Sequence, residues 1–481
     1  MTVASAQRAG RKQWIGLAVL VLPVLLISVD LHVLSYALPF ISTSLAPTAA
    51  QLLWIIDMYP FILAGLLLPM GTLGDRIGRR KLLMIGAAAF GAASTVAAFS
   101  PDAGTLIATR ALLGVGGATL MPSTLSLIRN MFHDERQRRA AIAIWTAAFA
   151  GGAMLGPLMG GALLEYFWWG SVFLVNLPVM ALLLLLTPLL LPESRDPRPG
   201  RFDVSSVVLS LAAILPTIYG IQHIAADGLS LLSVLAVIAG LALGAVFIRR
   251  QRLVPDPLLD VSLFRSRAFA AAIGTNTLGV FAMVGSSLFT TQYLQMVMGV
   301  RPFVAGLYAL PSAGMAMLTA GLAPALVRKI RPGLMVCAGL LVGASGFAFL
   351  SLLDTGGHAL PLVVGIMLMA GGVTLVLTVS SDLIIAAAPP ERAGSVAGLS
   401  QVATEFGGAL GISILGSIGA AVFRAQAPGS QTLGAALEAA KDQPALAAAA
   451  REAFVAGQHY AMITAAVLLV LMAILLRVQR T

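Results

Sequence analysis

The chain has 481 residues, 58% of them hydrophobic and only 10% charged, with a formal net charge of +10 and a mean hydropathy of +0.93. A water-soluble protein carries about 25% charged residues, so this chain cannot cover a water-facing surface and reads as a multi-spanning membrane protein. Its single cysteine, Cys337, excludes an intramolecular disulfide, and its five scattered His show no metal-binding spacing.

A membrane-crossing helix needs about 20 apolar residues. Fourteen segments qualify, in chain order 14–41, 51–73, 82–100, 104–128, 140–163, 171–191, 204–222, 230–248, 268–291, 303–327, 333–353, 360–387, 394–422 and 455–476. The first is too long for a signal-peptide core and lacks a small-residue cleavage site. Span one carries Asp30, His32 and Tyr36. Span two carries Trp54, Asp57 and Tyr59 and closes on Gly71-Thr-Leu-Gly-Asp-Arg-Ile-Gly-Arg-Arg-Lys81. Arg110 in span four precedes Gly114, Gly116 and Gly117. Span five holds Trp145, Phe149 and the run Gly152-Ala-Met-Leu-Gly-Pro-Leu-Met-Gly-Gly161. Later come Tyr293, Asp382 in span twelve, and Glu405 with Phe406 in span thirteen.

Three segments interrupt the rhythm. Residues 192–203 (Pro192, Glu193, Arg195, Pro197, Pro199, Gly200) and 249–267 (Pro255, Pro257) are polar linkers flanking two spans, and 424–454 is a long Ala-rich connection that reads as an amphipathic helical hairpin. Of the 30 Lys and Arg residues, Arg301, Arg424, Lys441 and Arg451 fall on one side and Arg110 lies within a span. All the others fall on the opposite side: Arg8, Arg11 and Lys12, then Arg76 to Lys81, Arg129 to Arg139, Arg195, Arg198 and Arg201, the 249–267 cluster, Arg328 to Arg331, Arg392, Arg477 and Arg480. The positive-inside rule then places both termini in the cytoplasm and accounts for the net charge without a nucleic-acid partner.

The segment 321–331 (Gly321 to Arg331) echoes 71–81 as small residues leading into a basic turn. Such weak repeats mark transporters built of two halves. The expected layout is an all-α bundle of six, two inserted and six helices: residues 1–191, then 192–267 with the inserted pair 204–222 and 230–248, then 268–481.

Gly71, Gly74 and Gly78 permit a tight turn and close helix approach, while Asp75 can accept from a neighbouring helix N-terminus and pair with Arg; Arg76 and Arg79 belong to the same motif. With these residues complete, 71–81 resembles the signature loop of the major facilitator superfamily. Gly152, Gly156, Gly160 and Gly161 allow close helix packing and Pro157 a kink, and the run resembles the antiporter motif of proton-coupled exporters in that superfamily. The arginine-plus-glycines pattern of Arg110 is similar to that family's fourth span. The stretches Val29–Pro39, Gln51–Tyr59 and Trp168–Pro178 resemble the fourteen-span drug:proton antiporter branch, of the QacA and SmvA type, over essentially the whole chain. His32 stands where family members usually have Thr, and Ser400 where several are acidic. The resemblance implies a multi-pass transporter of the bacterial cytoplasmic membrane rather than an enzyme. It implies drive by the proton gradient without a cofactor, organic-cation cargo, lipid around it and function as a monomer. An exporter of a metabolite, lipid or siderophore-like compound on the same fold is the alternative.

A charge in hydrocarbon costs at least about 2.5–3.5 kcal/mol, so each buried charge is a functional candidate. At about 1.5 Å per residue, Asp30 lies about 24 Å from the inner edge and Asp57 about 9 Å from the outer start of its span, with Arg110 at a similar depth. These three are expected to meet in the outer half: Asp30 as principal proton site, Arg110 tuning it, and Asp57 guarding the outer mouth while contacting proton or cargo. Glu405, about 16 Å from the inner start of its span, is expected to meet the cationic head of the cargo. Asp382, about 8 Å from the inner end, reads either as a cation contact or as a partner of a basic loop. Tyr36, Trp54, Tyr59, Trp145, Phe149, Tyr293 and Phe406 are expected to line the cavity and stack on cations.

Overall fold

Short polar side chains start many of the helices. Thr48 Oγ1 accepts from Gln51 N, and Gln51 Oε1 accepts from Thr48 N at 3.0 Å, a closed capping box. Asp102, Asp134, Asp203, Ser230 and Ser266 each accept a backbone N–H three residues on. The structure, a computed structural model, describes residues 9–195, 203–255, 257–386, 393–427 and 429–478. Arg8, Arg198, Arg201, Arg392 and Arg480, with the linker residues Pro197, Pro199 and Gly200, lie outside them.

Fourteen helices are long and apolar enough to cross a membrane, and no strand occurs among the described residues. The first six are α1 Arg11–Ser44, α2 Ala49–Ile77, α3 Arg79–Ala98, α4 Ala103–Met131, α5 Glu135–Tyr166 and α6 Ser171–Leu190. An inserted pair follows, α7 Val204–Ala225 and α8 Leu231–Gln251. The last six are α9 Arg267–Val297, α10 Pro302–Val327, α11 Pro332–Leu350, α12 Ala359–Ile384, α13 Gly398–Gln426 and α14 Pro444–Arg477. Helices dominate because a backbone in hydrocarbon must satisfy its own hydrogen bonds. Irregularities fall where the chain dictates them. α10 is interrupted at Ala309, two residues before Pro311, which has no N–H to give to the carbonyl of Leu307, and α9 ends in a π turn, Tyr293–Val297.

The long connection differs from the expected hairpin. A short helix, Leu433–Ala439, forms its first arm, but the second arm is continuous with α14, which runs unbroken from Pro444. The Ala-rich stretch 444–454 has high helix propensity and no breaker before the apolar span, so one helix serves both.

Each set of six packs in the same pattern. In the first, α1 pairs with α5, α2 with α4, α3 with α4, and α3 with α6; in the second, α9 pairs with α13, α10 with α12, α11 with α12, and α11 with α14. The two sets meet through α2 against α13 and α5 against α10, in each case the second helix of one set against the fifth of the other. The inserted helix α7 lies on the α2–α13 seam, with α8 outside it.

The end of the bundle bearing Arg76–Lys81 is called the basic end, and the other the far end. At the far end the halves are closed. A side-chain carbon on Gly161 would stand 2.6 Å from Pro302 O, and one on Gly306 2.6 Å from Pro157 O, so only glycine lets α5 and α10 meet there. Arg301 pairs with Glu165, and Gln295 Nε2 donates to Tyr36 O at 3.2 Å. Toward the basic end α5 and α10 separate: a carbon added at Gly151, Gly314 or Gly321 would meet nothing within 4 Å, and Ala143, Thr146 and Ala147 are exposed.

Candidate functional site

Asp30 and Arg110 form an ion pair inside the first half. Arg110 Nη1 lies 2.7 Å from Asp30 Oδ2, and about 1% of either side chain is exposed. Arg110 Nε donates to Ile55 O at 3.0 Å, and its guanidinium carbon stands 4.6 Å from the Tyr59 ring centroid. Asn176 Nδ2 donates to Asp30 Oδ1 at 3.3 Å and to Ser94 Oγ at 3.0 Å. Five helices, α1, α2, α3, α4 and α6, thus join one network around this pair. A buried pair is tolerable only when its remaining hydrogen-bonding positions are filled, and Ile55 O, the Tyr59 face and Asn176 fill them.

Asp57 does not join this pair. Two residues beyond Ile55, it lies about 200° further around α2 and faces the opposite seam. Its Oδ2 accepts from Gln222 Nε2 of α7 at 3.0 Å and from Ser413 Oγ of α13. With 0% of the residue exposed, it does not stand at an open mouth.

Glu405 lies in the second half, 7% exposed, and its Oε1 accepts from Gln401 Nε2 at 2.8 Å. No cation pairs with it among the described residues. Its neighbour Phe406 meets Phe61 of α2 edge-to-face at 6.1 Å. Asp382 is exposed near the end of α12, and Arg392, the basic residue of the loop that follows, lies outside the described residues.

The expected aromatics divide. Trp145 (its Nε1 donating to Thr124 Oγ1 at 3.1 Å), Phe149 and Phe406 stay half-buried. Tyr59 is fully buried beneath Arg110, and Tyr293 is fully buried with its hydroxyl donating to Asp354 O at 2.7 Å. Trp54 packs with Ile218 of α7 and Ala409 of α13, and Tyr36 is 7% exposed at the closed far end. Packing in the seam or within one half takes these four away from an open cavity.

The small residues of α5 seat it on α1. Carbons added at Gly152, Gly156 and Gly160 would fall 2.5 Å from Leu25 O, 2.8 Å from His32 Cβ and 2.6 Å from Val33 Cγ2. His32, bonded to Ser28 O at 2.7 Å, therefore faces α5 while Asp30 faces α4. In the 71–81 loop Asp75 pairs with Arg79 at 2.6 Å, Arg76 is exposed, and Gly78 adopts φ +110, which only glycine takes without strain. Gly71 and Gly74 lie in the last turns of α2. Sequence reasoning did not single out Asn176, Ser94, Gln222, Ser413 or Gln401 as site residues. Each is a neutral polar residue in an apolar span, a signal that ordinary helix residues share.

Comparison with known proteins bears on this geometry. The family described as Major Facilitator Superfamily matches residues 20–412. The chain is 42% identical to the multidrug efflux pump LfrA of Mycolicibacterium smegmatis, over 96% of this chain and 95% of that one. It is 35% identical to the methyl viologen resistance protein SmvA of Salmonella typhimurium, over 96% and 97%. A solved bacterial homolog of the human lysosomal transporter Spinster, inward-facing and unoccupied, shares the fold with a TM-score of 0.71 at 18% identity, covering 97% of each chain.

Proposed function

The chain belongs to the Major Facilitator Superfamily, and from that premise we propose that it is a proton-coupled antiporter exporting lipophilic mono- and divalent organic cations. It is a multi-pass transporter of the bacterial cytoplasmic membrane, not an enzyme. Relatives named as a multidrug efflux pump and a methyl viologen resistance protein support drug efflux, and methyl viologen is itself a dication.

The observation that carries the cation reading is Glu405, a buried carboxyl with an amide partner and no counter-charge. An isolated buried carboxylate is costly, so it takes up a proton or a cationic ligand. Either ligand neutralises the same group, which is the physical basis of exchange. Asp30 is the second acid, and Arg110 beside it offers a charged partner when its proton leaves. In this reading both termini are cytoplasmic, as the Lys and Arg asymmetry supports. The far end is then the outer face, and the structure is closed outside and parted inside. Half-buried Trp145, Phe149 and Phe406 offer aromatic faces to a cation. No cofactor takes part, and a single chain suffices.

The test is ethidium uptake into everted membrane vesicles energised by a proton gradient. Uptake that survives collapse of the gradient sinks proton coupling. Transport of neutral antibiotics with none of ethidium, dequalinium or chlorhexidine sinks the cation reading.

A further inference from the structure

The inserted pair α7–α8 has no counterpart in the repeat, yet one of its side chains reaches the interior. Gln222 of α7 is 0% exposed, and its Nε2 donates to Asp57 Oδ2 and to Ser413 Oγ, both at 3.0 Å. Ser413 Oγ donates in turn to the same Asp57 oxygen. The first half, the inserted pair and the second half therefore meet at one carboxyl group.

Among the described residues, Asp57 has no cation beside it. Arg110 of α4 is engaged by Asp30 and Ile55 O. On α1, Asp30 turns to α4 and His32 to α5. Glu405 of α13 lies eight residues from Ser413, about 12 Å along the axis. His223, next to Gln222, bonds Tyr219 O at 3.0 Å and stacks on that ring at 3.9 Å. α3 carries charge only at Arg79, Arg80 and Lys81, at its basic end.

Two acceptors in the node, Asp57 Oδ1 and Gln222 Oε1, are buried without a donor. A carboxamide has a donor end and an acceptor end, and turning it over exchanges them. With NH2 toward Asp57 it serves a carboxylate; turned over, its carbonyl accepts from a protonated carboxyl. The Ser413 hydroxyl can likewise donate or accept. Asp57 thus keeps a hydrogen-bond partner in both protonation states without either group leaving its place, and a buried carboxyl needs such partners in each state.

We infer that Gln222 is a positioning residue that ties the inserted pair into the exchange cycle, holding Asp57 in both protonation states and linking it to Ser413 across the halves. Its role in transport rests on the antiporter reading above; the node itself does not.

The experiment follows the protonated-carboxyl infrared band that disappears in Asp57→Asn, titrated with pH in the reconstituted full-length protein. The amide's bond to the carboxylate is charge-assisted and stronger than its bond to the protonated form, so Gln222→Met, similar in size and without the amide, displaces the midpoint by about one pH unit, and Ser413→Ala displaces it too. Ethidium efflux by Gln222→Met falls several-fold with a displaced pH profile, and the same change in an Asp57→Asn background adds nothing further. Gln222→Asn, one methylene short, gives the same displacement and serves where Gln222→Met does not reach the membrane. Unchanged midpoints, independent losses in the double variant, or no titrating Asp57 band overturn the inference. A wild-type chain that moves no cation on a proton gradient overturns the antiporter reading instead, and the infrared titration still decides the role of Gln222.

Discussion

Arg110 and Asp30 face each other at 2.7 Å, sealed from solvent, while the same guanidinium holds the Ile55 carbonyl and lies over Tyr59. Removing one partner of such a pair leaves an uncompensated buried charge, at about 3–5 kcal/mol. Asp30→Asn is expected to lower the unfolding temperature and cut proton-driven ethidium efflux at least about tenfold. Arg110→Lys will not substitute, because an ammonium cannot make the forked contacts and the ring stacking together. Normal efflux by Asp30→Asn removes that residue from proton coupling.

In the antiport reading Glu405, with Gln401 as its amide partner and no counter-charge among the described residues, offers its charge to cargo. Glu405→Gln is expected to weaken binding of the dication chlorhexidine about tenfold, a loss of about 1.4 kcal/mol, and to affect monocations less. Equal affinity for chlorhexidine in wild type and variant removes Glu405 from the binding site.

The far-end closure runs through Arg301 and Glu165 and the Gly161–Pro302 approach. In a Cys337→Ser background, Glu165→Cys with Arg301→Cys joined by a short thiol-specific cross-linker is expected to stop transport, and a reducible linker to restore it on cleavage. Unimpaired transport by the linked protein rules out parting of these segments during the cycle.

Gly156 has no room for a side chain against His32. Gly156→Leu is expected to push α1 and α5 apart, at about 1–3 kcal/mol for overpacking, while Gly151→Ala, with open space around it, leaves thermal stability unchanged. Equal melting of the two variants contradicts the packing argument.

Asp102, exposed at the start of α4, accepts from the Thr105 backbone at 2.9 Å and from its hydroxyl at 2.8 Å, and these bonds hold its carboxyl below the usual range. A lowered folded-state value stabilises above the unfolded pKa, and the contribution is lost as pH falls through the folded one. The melting difference between wild type and Asp102→Ala is therefore expected to be full at neutral pH and to shrink below about pH 4. A difference independent of pH assigns the effect to helix propensity instead.

The number of spans was legible because hydrocarbon thickness sets a minimum apolar length and little else competes. Ends were less so: the residues 444–454 read as the second arm of a separate helical hairpin, yet alanine carries α14 through them. Depth along each helix placed Asp30 and Arg110 at one level, and they pair. It placed Asp57 at that level as well, but depth carries no angle, and Asp57 points to the other seam. Asp382 and the aromatics divided for the same reason, since spacing does not say which face of a helix meets lipid, cavity or neighbour.

The sequence by itself determined that this chain is a fourteen-helix transporter with a few costly charges in its spans, because burying ionisable groups in an apolar segment is expensive enough to stand out. Only the tertiary structure decided the company those charges keep. The partners of Asp57 lie 165 and 356 residues away along the chain, and Asn176 reaches Asp30 across 146. Neutral amides and hydroxyls cost little in a helix and leave no mark in composition, so their place beside a carboxylate exists only once distant helices have packed.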